Sequence, residues 1–131
     1  MFKSSLILAG LLAVGAQAAF GDAPAIPRFL TIVDTELGLV LANKDDRTVY
    51  TFDRDQGDVS ACYNQCAVAW PAVLTTKTAL TAPFGLTPRT DGTSQVTFNG
   101  HPLYLYKFDE AAGDVNGDGS GGVWHVAKLG G

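Results

Sequence analysis

Basic residues are scarce. Nine lysines and arginines face 13 aspartates and glutamates in 131 residues, for a formal charge of −4. Nucleic acid demands a basic footprint, so this balance argues against it as a partner. It argues equally against an electrostatic hold on anionic lipid. The chain also lacks a long hydrophobic run. Leu6 to Gly15 is free of charge but too short for a bilayer of roughly 30 Å, which takes about 20 apolar residues. Only two cysteines are present, Cys62 and Cys66, with no second pair to suggest zinc and none near the start to carry a lipid anchor. Missing too are a nucleophile-elbow serine with histidine and aspartate in order, and a glycine-rich phosphate loop between strand and helix. No carboxylate pair sits in an apolar sequence surround that would raise a pKa for acid work. Nothing in the chain supports a catalyst.

What is present begins with an export signal. Met1 to Ser5 gives a short positive start, the apolar run follows, and Ala16-Gln17-Ala18 supplies the small residues at which a signal peptidase cuts, before Ala19. Residues 1–18 therefore read as a signal peptide and 19–29 as an extended leader. Removal of the signal takes Lys3 with it, moving the formal charge from −4 to −5 and leaving 113 residues for one domain. The expected location is the periplasm or the medium.

The body of the chain is a repeat. Tyr50, Phe52 and Asp55 return as Tyr104, Tyr106 and Asp109, each 54 residues later, and the same offset carries Trp70 onto Trp124. The two units span about 30–75 and 85–128. Each reads as short apolar, β-branched strands separated by turns. In the first unit, 31–33 and 37–41 flank a turn at Asp34-Thr35-Glu36. Residues 37–52 then form a hairpin, and Ser60 caps a helical turn over 61–69 that ends at Trp70-Pro71. Residues 75–88 read as a long loop or irregular strand. In the second unit Asn99-Gly100 marks a two-residue hairpin turn between 94–98 and 101–106. Alternation puts Tyr50 and Phe52 on one strand face with Val49 and Thr51 on the other. It likewise puts Tyr104, Tyr106 and Phe108 opposite Leu103 and Leu105. With both faces apolar, that second strand is expected to be central. The expectation is an all-β fold with one short helical turn, two antiparallel units packed as one sandwich- or barrel-like domain around shared rings.

These residues resemble a bacterial secreted-repeat family of unknown function, also described as predicted lipoproteins with a Tyr-x-(Phe/Trp/Tyr)-x-x-Asp motif. The resemblance rests on Tyr50/Phe52/Asp55, Tyr104/Tyr106/Asp109, the Cys62-x-x-x-Cys66 segment running to Trp70-Pro71, and the run from Asp91-Gly92 to Val123-Trp124-His125. It covers residues 30–128 and implies an exported tandem-repeat protein without an established activity. The chain departs from the lipoprotein members in having no lipid-attachment cysteine.

Three constellations bear on chemistry. Cys62 and Cys66, four apart, lie on one face of a helix within disulfide reach, and an exported protein meets an oxidising compartment. Closing so small a loop adds only about 2 kcal/mol. The alternative for this pair is Cu(I) or redox handling, with His101 or His125 as third ligand. Asp114, Asn116 and Asp118, with Asp109 nearby, reproduce the first half of a calcium loop, but Gly122 and His125 occupy the positions where the second half needs oxygen ligands. Asp55 and Asp109 follow their strands, where a carboxylate closes a turn by accepting backbone N–H bonds. The reading is a non-catalytic binding or envelope-associated module, with copper or redox handling and a calcium-stabilised module as rivals. No cofactor is expected under the main reading, and the partner, protein or small ligand, is left open.

Overall fold

The computed structural model describes residues 25–129. The signal peptide and most of the leader, 1–24, lie outside the described residues.

The first unit opens with a hairpin of β1 (Leu30–Thr35) and β2 (Gly38–Asn43), in register from Leu30 opposite Asn43 to Thr35 opposite Gly38. The turn falls at Glu36-Leu37, not at Asp34–Glu36. Thr35 Oγ1 accepts from the Leu37 N–H and donates to the Gly38 carbonyl, so the hydroxyl extends the strand by two residues before the chain reverses. The chain then returns through β3 (Tyr50–Phe52), with Ala42 bridged to Thr48. The expected helix shortens to α1 (Gln65–Ala69). Asn64 before it has φ of +57°, and Ser60 makes no helix cap because its Oγ is engaged with Tyr104. Tertiary contacts have overridden local helical preference over 61–64. A two-residue strand, β4 (Leu74–Thr75), closes the unit.

The second unit repeats the plan with β5 (Phe84–Pro88), β6 (Ser94–Phe98), β7 (His101–Pro102) and β8 (Trp124–Val126). The 75–88 stretch, read as a long loop or irregular strand, is strand over Phe84–Pro88. The Asn99-Gly100 turn has φ of +51° and +80°, the two positive values a tight hairpin of this kind needs. Past β7 the chain stays extended through Leu105 and is central. Tyr104 is bridged to Tyr50 on one side and to Ala72 on the other. It turns after Tyr106, where the Asp109 N–H donates to the Tyr106 carbonyl. Phe108 therefore leaves the expected shared face and is 56% exposed.

The last strand of each unit pairs with the other unit. β8 is antiparallel to β3, with Phe52 opposite Trp124, and Leu41 N–H donates to the Ala127 carbonyl. Correspondingly, β4 pairs with β6, and Val96 N–H donates to the Val73 carbonyl. The Asp53 N–H to Val123 O bond recurs at the repeat offset as Lys107 N–H to Ala69 O. At the centre Tyr50 and Tyr104 exchange backbone bonds of 2.7 and 2.9 Å, which marks a pseudo-twofold axis between them. The result is all-β with open sheets rather than a closed barrel.

The central sheet carries two different cores. Val49 and Leu103 face a mainly aliphatic cluster with Leu30, Leu41, Phe84 and Val96. Tyr50 and Tyr104 face an aromatic one with Trp70, Trp124 and Cys62. Period-two alternation decides which residue joins which.

Candidate functional site

The aromatic seam holds most of the residues the sequence singled out. Four rings stack in a row, Phe52 on Trp124, Trp124 on Trp70 and Trp70 on Tyr106, with centroid separations of 4.0, 3.8 and 4.2 Å. The two tryptophans meet at 1°, face to face on the pseudo-twofold axis. Tyr50 stands edge-on to Trp70 at 5.3 Å, and Tyr104 edge-on to Trp124 at 5.2 Å. Every contact in one half has its partner in the other, and each outer ring stacks on the tryptophan of the opposite repeat.

The polar atoms of the motif cross in the same way. Tyr50 donates its hydroxyl to Asp109 Oδ2 at 2.7 Å, and Tyr104 donates to Asp55 Oδ2 at 2.8 Å. The remaining carboxylate oxygens accept backbone N–H groups, Asp55 Oδ1 from Ala61 and Asp109 Oδ1 from Asn116. Each aspartate therefore closes its own loop and holds the other repeat's tyrosine. Burial holds both carboxyls above their usual range, although the tyrosine bonds and backbone donors pull the other way. That corrects the expectation that no carboxylate has a raised pKa, since the apolar surround comes from the partner repeat and not from sequence neighbours. Burial, followed by the bond to the carboxylate for Tyr50, pushes the tyrosine hydroxyls well above the ordinary phenol range.

Around these shared parts the two halves differ. Beside Tyr50, Gly117 N–H donates to the hydroxyl at 3.2 Å, and the loop packs so closely that a Cβ on Gly117 would sit 2.6 Å from the Trp70 ring. Beside Tyr104 the hydroxyl meets Ser60 Oγ at 2.6 Å. Arg89, buried, donates to Ser60 Oγ, to Gln95 Oε1 and to the Cys62 carbonyl. Its guanidinium also lies 4.2 Å over the Tyr63 ring. Sequence reasoning missed Ser60, Arg89 and Gln95 as a group, because the positions share no spacing and converge only through the sheet.

Cys62 and Cys66 form a disulfide with Cα atoms 5.3 Å apart. Cys62 lies outside α1, so the pair does not share a helix face as expected. A copper site on these sulfurs would require the bond to open first. His125 pairs with Asp53 at 2.7 Å on the surface, both half exposed, and His101 sits exposed on β7. In the calcium-like loop Asp114 Oδ2 accepts from the Glu110 and Ala111 N–H groups, Asp118 Oδ1 accepts from Val126 N–H, and Asn116 Nδ2 donates to the Phe108 carbonyl. These side chains are turned toward backbone groups of the loop and of β8. Among the described residues no three His, Cys, Asp or Glu side chains are grouped to hold a metal ion. No helix among them is long and apolar enough to cross a membrane.

Away from the seam, an open groove of about 1040 Å³ lies beside β4. Phe29, Leu74 and Leu86 supply its apolar surface, and Thr75, Thr78 and Lys77 its polar groups.

The crossed geometry requires two copies of one sequence unit in one chain, and the family comparison finds two. The model of a family described as a secreted repeat of unknown function matches residues 31–74 and again 85–128. The chain belongs to that family. This secreted-repeat protein is accordingly an exported, periplasmic or secreted tandem-repeat protein, and nothing in the family description indicates catalysis or nucleic-acid binding. No curated protein and no solved structure matches it. The first match ends at Leu74, within β4, so each family unit includes the strand it donates to its neighbour.

Proposed function

We propose that this secreted-repeat protein is a non-catalytic binding module of the cell envelope whose partner occupies the groove beside β4. One observation carries the reading: the Tyr50 and Tyr104 hydroxyls and both motif carboxylates have partners inside the chain, so these groups serve to assemble the seam. The groove supplies what the seam does not, a concave surface with unburied apolar area at Leu74 and threonine hydroxyls along it. Such a lining suits a partner that presents hydroxyl or amide groups on an apolar frame, as a cell-wall glycan does.

The test is cosedimentation of the mature protein with insoluble wall glycan and, separately, with membrane vesicles. The expected result is binding to the glycan, weakened about tenfold or more by Leu74→Asp with no change in melting. Failure of the wild type to sediment with either fraction overturns the envelope role. Sedimentation with vesicles alone overturns the glycan assignment.

A further inference from the structure

We propose that Cys62–Cys66 is a reversible dithiol–disulfide couple that exchanges with an external dithiol through attack at Cys66. The second repeat provides an internal control. At the repeat offset the two cysteines correspond to Asn116 and Ser120, yet Trp124 sits in the same stack as Trp70 with the same edge-on tyrosine. The architecture is built without the bond in one half, so folding alone does not account for it in the other.

Two further observations suit the couple to exchange. The segment around Cys62 is held independently of the disulfide. Arg89 donates to the Cys62 carbonyl at 2.8 Å and to Ser60 Oγ at 3.1 Å, Cys62 N–H donates to Ser60 Oγ, and Ala61 N–H donates to Asp55. Opening the bond therefore leaves the segment in place. The two sulfurs also differ in access, with Cys62 fully buried and Cys66 half-buried at the start of α1. An incoming thiolate reaches Cys66 and expels Cys62 as the leaving group.

The chemistry balances as an ordinary exchange. A donor thiolate attacks Cys66 Sγ, the Sγ–Sγ bond breaks, and its electron pair stays on Cys62 Sγ. The donor's second thiolate then attacks its own sulfur in the mixed disulfide and releases Cys66. The donor dithiol becomes a disulfide, and its two electrons and two protons end on Cys62 and Cys66.

The test uses the oxidised protein under native conditions with dithiothreitol at a series of concentrations, quenched by acid and alkylated for mass spectrometry. A disulfide sealed by the fold is reduced only as fast as the chain unfolds. The expected result is instead a rate proportional to dithiothreitol, a reduced product that keeps its aromatic circular dichroism, and recovery of the bond on adding oxidised glutathione. In Cys62→Ser the remaining thiol should take up one glutathione, and in Cys66→Ser the buried Cys62 should take up none. A rate independent of dithiothreitol, or loss of the aromatic signal on reduction, overturns the proposal.

Discussion

Replacing Trp70 by alanine tests the seam at its centre. The side chain is 6% exposed, so nearly all of a tryptophan's surface, about 200 Å², is out of water. At about 25 cal/mol per Å² that burial is worth about 5 kcal/mol, of which alanine keeps a small part. The ring also stacks on Trp124 and Tyr106 and meets Tyr50 edge-on, contacts worth about 0.5–1.5 kcal/mol each beyond area. Relaxation of neighbours into the space recovers some of the loss, and large aromatic-to-alanine changes in cores cost about 3–5 kcal/mol. The expected loss lies at the upper end, about 4–5 kcal/mol. For a domain of this size it appears as a fall in Tm of about 20 °C or more. Trp124 is 5% exposed and has matching contacts, so Trp124→Ala should agree with Trp70→Ala within about 1 kcal/mol. Leu39→Ala, at a side chain 59% exposed, serves as control with an effect below about 0.5 kcal/mol. Urea denaturation followed by tryptophan fluorescence gives the numbers. A loss under about 2 kcal/mol in either variant would refute the two-sided stack as the centre of the fold.

Gly117→Ala should cost about 1–3 kcal/mol by overpacking, because the new methyl would press on the Trp70 and Tyr106 rings, and a thermal melt reads it directly. Asp109 gives a pH signature with a definite sign. Its folded-state pKa is raised, so its contribution to stability is fully present below the ordinary carboxylate value of 3.8 and is lost as pH rises through the raised value. Melts of wild type against Asp109→Asn across this range should show the difference moving against wild type as pH rises, and a pH-independent difference would contradict the burial argument. Residues 25–78 and 79–129 expressed apart should each lack fixed tertiary structure, since each has donated its last strand, and should regain the aromatic circular dichroism on mixing. Addition of EDTA or Ca²⁺ should leave Tm unchanged, because the Asp114 and Asp118 carboxylates already accept backbone N–H groups of the loop and of β8; a rise with Ca²⁺ would restore the calcium reading.

The strand content, the hairpin at Asn99-Gly100 and the two-faced alternation around Tyr50 and Tyr104 were legible because they depend on local φ preferences and a period of two. The 61–69 helix was overread for the complementary reason. Its alanines favour helix, but Arg89 and the aromatic core claim Ser60 and Cys62 and leave only Gln65–Ala69. Phe108 was misplaced because alternation continues only as long as the strand does, and the chain turns at Asp109.

The sequence alone determined that two equivalent units exist and that their aromatic and acidic positions keep register, and it led to the expectation that the rings are buried and the carboxylates close turns. Only the tertiary structure decided which unit each side chain serves. Tyr50 binds the aspartate of the second repeat and Phe52 stacks on its tryptophan, and both partners lie more than 50 residues away. A repeat offset fixes correspondence between positions but not whether equivalent groups pair within a unit or across the axis. That choice is made by the strands, because β4 and β8 each complete the other unit's sheet and carry Trp70 and Trp124 across with them.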